Sequence, residues 1–264
     1  MIPTHKLLAI CVLFILSTPN AVAQENASVD ALEIAQERKR RDMGWKTTEA
    51  KVTMILKNSQ GQEAQRELDV KSLEVADDGD KAMTVFDSPR DVKGTAFLSF
   101  SHALEPDEQW IYLPALKRVK RISSRNKSGP FVGSEFAFED MTSYEVEKFS
   151  YEYLGEEEVN GEVCFVLRQT PNYEYSGYTS QKVWIDKSHY RVQKIEFYDK
   201  KDALLKVLVL KEYQLYKDKF WRPMRSEMRN VQTRKSTFLI TEDINFDTEL
   251  SESDFDQNRL KRAR

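Results

Sequence analysis

The chain has 264 residues, with 40 Lys and Arg against 43 Asp and Glu and a formal net charge of −3. That balance argues against nucleic acid as a partner. Charged residues at 31% and aromatics at 11% suit a well-solvated surface around an aromatic-rich interior, and the length suffices for one large β domain.

His5 and Lys6 precede an apolar run from Leu7 to Leu16, then Ser17, Thr18, Pro19 and the small residues Ala21 and Ala23. This order predicts a cleavable secretory signal over 1–23, with the mature chain, 24–264, forming a single domain. The run is shorter than the ~20 residues of a spanning helix. Cys11 follows three apolar residues, but it sits inside the run and behind the bulky Ile10, which opposes a lipoprotein site. No later apolar stretch reaches spanning length, because Lys206 interrupts the run from Ala203 to Leu210. The expectation is a mature protein soluble without detergent. Cys164, in an apolar stretch, reads as a buried thiol rather than a nucleophile.

Ser28 is read as the cap of a helix running to about Met43, with Gly44 as its stop and Val29, Leu32, Ile34 and Ala35 on its apolar side. The stretch from Glu37 to Arg41 reads as a solvated basic face. From Trp45 the period becomes alternating. Strands are predicted around 52–56, 67–71, 81–86, 94–100, 109–113, 118–122, 144–154, 163–169, 182–186, 192–198, 204–216, 221–230 and 235–246. Asn58 to Gly61, Asp77 to Asp80, Asn160-Gly161, Asp199 to Asp202 and Lys217 to Lys219 mark turns, and Glu156 to Glu158 reads as a solvated turn run. Many strands joined by short polar turns predict a mainly β (α+β) fold: one curled antiparallel sheet forming an incomplete barrel. The segment 126–144 breaks the pattern as a loop with a short helix at 138–141, and its Phe131, Phe136 and Phe138 demand burial.

No residue set nominates itself for catalysis. His102 and His189 belong to no metal-ligand pattern, and Asp186, Ser188 and His189 lie in a turn where adjacent residues rarely converge on one reacting atom. No glycine-rich phosphate loop or hydrolase elbow is present. The expectation is a non-enzyme without cofactor or metal. The aromatic content is more informative, since a curled sheet of this many strands encloses space that a ligand can fill. Met54, Leu56, Trp110, Tyr112, Phe131, Phe136, Phe138 and Trp184 are the candidate ligand-binding residues. The phenylalanine segment is expected to line or cover the cavity mouth as a movable flap, with a fixed plug as the alternative. Arg118, Lys120 and Arg121 are candidates for contact with anionic headgroups or an acidic partner.

The runs from Phe86 to Leu98, from Gln109 to Ile122 and from Gly133 to Met141 resemble the LolA-like family of outer-membrane lipoprotein-sorting proteins, in the branch associated with RND-superfamily exporters. The resemblance extends over nearly the whole mature chain. It implies an incomplete antiparallel barrel with a helical or loop lid over an apolar concave face. It also implies a periplasmic, non-enzymatic carrier of lipid or lipoprotein acyl chains, with transient membrane contact only. A periplasmic adaptor that binds an exporter by its surface and carries no cargo is the alternative.

Overall fold

The computed structural model describes residues 30–263; the signal segment, its cleavage point and the cap assigned to Ser28 lie outside the described residues. One helix, α1 (Ala31–Arg41), precedes thirteen strands: β1 (Thr47–Lys57), β2 (Glu63–Leu73), β3 (Lys81–Ser88), β4 (Ala96–Phe100), β5 (Glu108–Leu113), β6 (Arg118–Ile122), β7 (Phe149–Val159), β8 (Glu162–Pro171), β9 (Ser180–Asp186), β10 (Val192–Tyr198), β11 (Leu204–Tyr216), β12 (Phe220–Asn230) and β13 (Ser236–Phe246). Asp30 caps α1, its carboxylate accepting from the Leu32 and Glu33 amides at 2.8 and 3.4 Å. Ala31, Ile34 and Ala35 are buried, whereas Leu32 is exposed. Among the described residues no helix is long and apolar enough to cross a membrane.

All thirteen strands join one sheet in the order β6-β5-β4-β3-β2-β1-β13-β12-β11-β10-β9-β8-β7. Two antiparallel meanders meet where β1 pairs with β13, so β6 and β7 are left as the two unpaired edges. The sheet is therefore open, as the sequence predicts. The ladder carries an extra residue in β13, where Glu242 falls between the partners of Lys51 and Val52, and in β7 next to Gly155, whose φ is positive. Such bulges bend a strand and increase its twist.

β7 begins five residues later than the periodicity suggests, because Val146–Lys148 forms a 3-10 turn with Val146 and Lys148 buried. It also runs on through Glu156, Glu157 and Glu158, which are strand residues and not a turn. The turn falls at Asn160 and Gly161, whose φ of 56° and 80° suit a tight hairpin.

The connection between β6 and β7 must pass from one sheet edge to the other, and it does so across the concave face. It carries Phe131, Phe136 and Phe138 into a cluster with Met54, Leu68, Phe86, Phe97, Ile111 and Met228, with Leu56 packed alongside. Phe131 contacts Phe97 edge-on at 5.1 Å between ring centres and Phe138 at 5.7 Å. The short helix expected at 138–141 is present as a 3-10 turn. On the convex side, Phe255 and Leu260 of the C-terminal segment cover Met83, Val85, Leu98 and Trp110. Close packing extends to backbone, since a Cβ at Gly79 would meet the Ser101 carbonyl carbon at 2.4 Å.

Candidate ligand cleft

The concave face is divided between two covers. The β6–β7 connection fills the half over β1 to β5, and α1 lies on the other half, with Ala31 and Ile34 packed against Leu167, Val183, Ile185 and Val192. Between the two covers the strands leave open space. A cleft of about 700 Å³ is lined by Trp45, Val192, Leu210, Leu215 and Trp221, together with Arg38, Arg41, Arg191 and Arg222. A deeper cavity of about 240 Å³ shares Arg38, Val192 and Leu210 with it and continues along Ile195, Phe197, Leu208 and Met228 to Phe136. The larger volume lies within the roughly 300–1,000 Å³ of small-ligand sites.

The left-handed backbone at Glu212, with φ 56°, shapes the cleft wall. Leu208 and Leu210 point inward in β11 at alternate positions, and strict alternation would then send Tyr213 and Leu215 outward. The positive φ at Glu212 returns them to the inner face without shifting the register, so that they stay opposite Pro223 and Trp221 of β12.

The β6–β7 connection is held by polar anchors as well as by its rings. Asp140 accepts from Lys206 Nζ at 2.6 Å, Tyr178 Oη at 2.8 Å and the Ala137 amide at 2.6 Å. Glu139 accepts from Ser176 Oγ, the Gly177 amide and Tyr173 Oη, and burial holds its carboxyl above the usual carboxylate range. A Cβ at Gly177 would come within 2.8 Å of Glu139 Oε1. Arg66 donates to the Val132 carbonyl at 2.6 Å, and the Glu135 amide donates to Thr237 Oγ1 at 3.0 Å. These contacts anchor the segment as a plug over its half of the concave face. A flap would have to break a buried ion pair and several buried hydrogen bonds before moving.

The eight residues expected to bind ligand separate into groups. Met54, Leu56, Phe131, Phe136 and Phe138 meet in the plugged half, and Phe136 also lines the deep cavity. Trp110 and Tyr112 belong instead to the convex cluster under the C-terminal segment. Trp184 also faces away from the cleft: it packs on Cys164 and Val166, donates from Nε1 to Glu157 at 2.8 Å and has Lys194 over its ring at 4.1 Å. Its sequence neighbours Val183 and Ile185 face α1. In β6, Arg118 and Lys120 are exposed at the open edge, while Arg121 falls on the face of Val119, pairs with Glu108 at 2.7 Å and lies 5.9 Å from the centre of the Trp110 ring. Charged side chains on an edge strand also block edge-to-edge association.

Groups of potential reactivity are structurally engaged. Burial pushes the Cys164 thiol up to about 11. Asp186 is buried and accepts from Ser188 Oγ, the His189 amide, Arg191 Nε and Gln193 Nε2, so its carboxylate organises the turn. The His189 ring lies against Trp221 instead, 4.8 Å between ring centres.

A family model described as "uncharacterized protein" matches residues 78–262. No curated protein matches the chain. Among solved structures, the chain is similar to an outer membrane lipoprotein-sorting protein domain from Vibrio parahaemolyticus, at 58% identity and TM-score 0.86, covering 88% of this chain and 98% of that one. A DUF1329 family protein from Desulfovibrio piger shares 26% identity at TM-score 0.82, over 87% and 97% of the two chains. A LolA superfamily protein from Nitrosomonas europaea, at 18% identity and TM-score 0.70 over 88% and 99%, shares the fold. The chain belongs to the family of the Vibrio outer membrane lipoprotein-sorting protein domain and has the LolA-like fold.

Proposed function

We propose that the protein is a periplasmic, non-enzymatic carrier that holds the acyl chain of a lipid or lipoprotein in the cleft between α1 and the plug. The observation that carries this reading is the space left along the inner strip of β10 to β12 between α1 and the β6–β7 connection. Val192 and Leu210 border both the wide cleft and the deeper cavity, and Ile195 and Leu208 border the latter, although an ordinary core would have closed such space. An acyl chain in water gains about 0.8 kcal/mol for each methylene hidden, so an apolar cleft in an otherwise polar protein suffices for transport without catalysis. The lipoprotein-sorting name of the Vibrio relative supports the same cargo class and a periplasmic location. An inner-membrane RND-superfamily exporter is the proposed source or partner, with the basic edge strand β6 as its docking face. Native mass spectrometry of protein isolated from the periplasm tests the reading: co-purifying lipid supports a carrier, and a homogeneous bare chain supports the alternative of a surface-binding adaptor. That alternative draws on the plug, which already fills half of the concave face.

A further inference from the structure

We infer that the cargo is an anionic amphiphile whose carboxylate or phosphate headgroup is held by Arg38; the inference rests on the carrier reading above. The last turn of α1 carries Arg38, Lys39, Arg40 and Arg41. Lys39 pairs with Glu145 at 2.9 Å and donates to the Tyr144 carbonyl, while Arg40 and Arg41 both pair with Glu37. Arg38 differs from all three. Among the described residues it has no ion pair and no hydrogen bond; its guanidinium lies 3.8 Å from the centre of the Tyr144 ring. A guanidinium has five donors in a planar fork suited to carboxylate or phosphate, and here none is used.

Its position adds to the argument. Arg38 follows Ile34 by four residues and Ala35 by three, so it shares their inward face of the helix. It lines the wide cleft, the deep cavity and a third space of about 210 Å³ beside Trp45 and Tyr144. It therefore sits where the cleft narrows into the apolar passage along Val192 and Leu210.

The other charges around the cleft are largely answered. Arg191 is neutralised by Asp186 and Glu162, both at 2.8 Å, Arg222 by Asp42 at 2.5 Å, and Lys219 donates to the Met43 carbonyl. Asp80 and Asp218 are the remaining acids lining the cleft, and Asp80 accepts from the Val75 amide. An entering anion thus meets one uncommitted cation. A chain extending from that point meets Leu210, Leu208, Ile195, Phe197 and Met228 along one wall, with Gln169 and Gln181 among the polar groups of the other.

The test compares a fluorescent stearic acid, its neutral methyl ester and a fluorescent lysophosphatidic acid. Wild type is expected to bind the acid, the phosphate or both about ten- to a hundredfold more tightly than the ester, the worth of a charge-assisted hydrogen bond. Arg38→Gln should erase that preference while leaving ester binding intact, and Arg38→Lys should retain part of it. Which anion is preferred separates carboxylate from phosphate cargo. Equal binding of all three probes by wild type, or a preference that survives Arg38→Gln, overturns the headgroup assignment alone. Failure of wild type to bind any probe overturns the carrier reading with it.

Discussion

Lys206 Nζ lies 2.6 Å from Asp140 Oδ2, and the two side chains, 4% and 7% exposed, tie strand β11 to the segment that crosses the concave face. Removing one member of such a pair leaves a buried charge without compensation, which costs about 3–5 kcal/mol. Lys206→Met should therefore lower stability by that amount in urea unfolding. Adding Asp140→Asn should recover part of it, because the uncompensated charge is gone, although the one amide oxygen can accept from Tyr178 or from Ala137 but not from both. A double variant no more stable than Lys206→Met would show that the loss has another origin.

Phe131 is fully buried among Phe86, Phe97 and Phe138. Phe131→Ala is expected to cost about 3–5 kcal/mol through the cavity it opens, without changing uptake of a fluorescent fatty acid into the cleft. A small stability loss accompanied by faster probe uptake would restore the flap.

Burial pushes the Asp80 carboxyl up to about 6, against the opposing effect of Lys39 and with Glu145 and Glu74 adding to the rise. The folded protein therefore holds this proton more tightly than the unfolded chain does. The penalty is absent below the unfolded value near 3.8, grows as pH rises, and is complete above about 6. Asp80→Asn should stabilise the protein by about 1–3 kcal/mol at pH 7.5 and by almost nothing at pH ~4. A benefit equal at both pH values would contradict the assignment.

Much of this architecture is legible in the sequence, and the exceptions have physical causes. Period-two patterning locates all thirteen strands because each has one face to bury. It misplaces the start of β7, where Glu145 and Lys148 are buried by pairing with Lys39 and Asp107 rather than by apolar character. Trp110 and Trp184 are large and aromatic, yet strand parity puts them opposite Ile111 and Ile185, which face inward. Parity with Ile111 and Ile185 was the better guide than ring size. Arg38 reads as one of a basic run until its spacing from Ile34 and Ala35 is counted. The plug is not readable from local pattern, because it follows from a connection that has to join the two free edges of the sheet.

Arg118 and Lys120 stand exposed on the edge strand β6, with Arg121 committed to Glu108. Arg118→Glu with Lys120→Glu should reduce association with phosphatidylglycerol vesicles at low ionic strength and have little effect at high salt, where exposed charges are screened. Unchanged association at low salt would leave these residues as edge protection only.

The proposed acyl-chain site is the inner strip of β10 to β12 between α1 and the β6–β7 connection. A photoreactive diazirine fatty acid, crosslinked to the protein and mapped by peptide mass spectrometry, tests it directly. Labels are expected on Val192, Ile195, Leu208 and Leu210, suppressed by excess unlabelled fatty acid. Saturable labelling at Trp110, Tyr112 or Trp184, or labelling that excess fatty acid does not suppress, would contradict it.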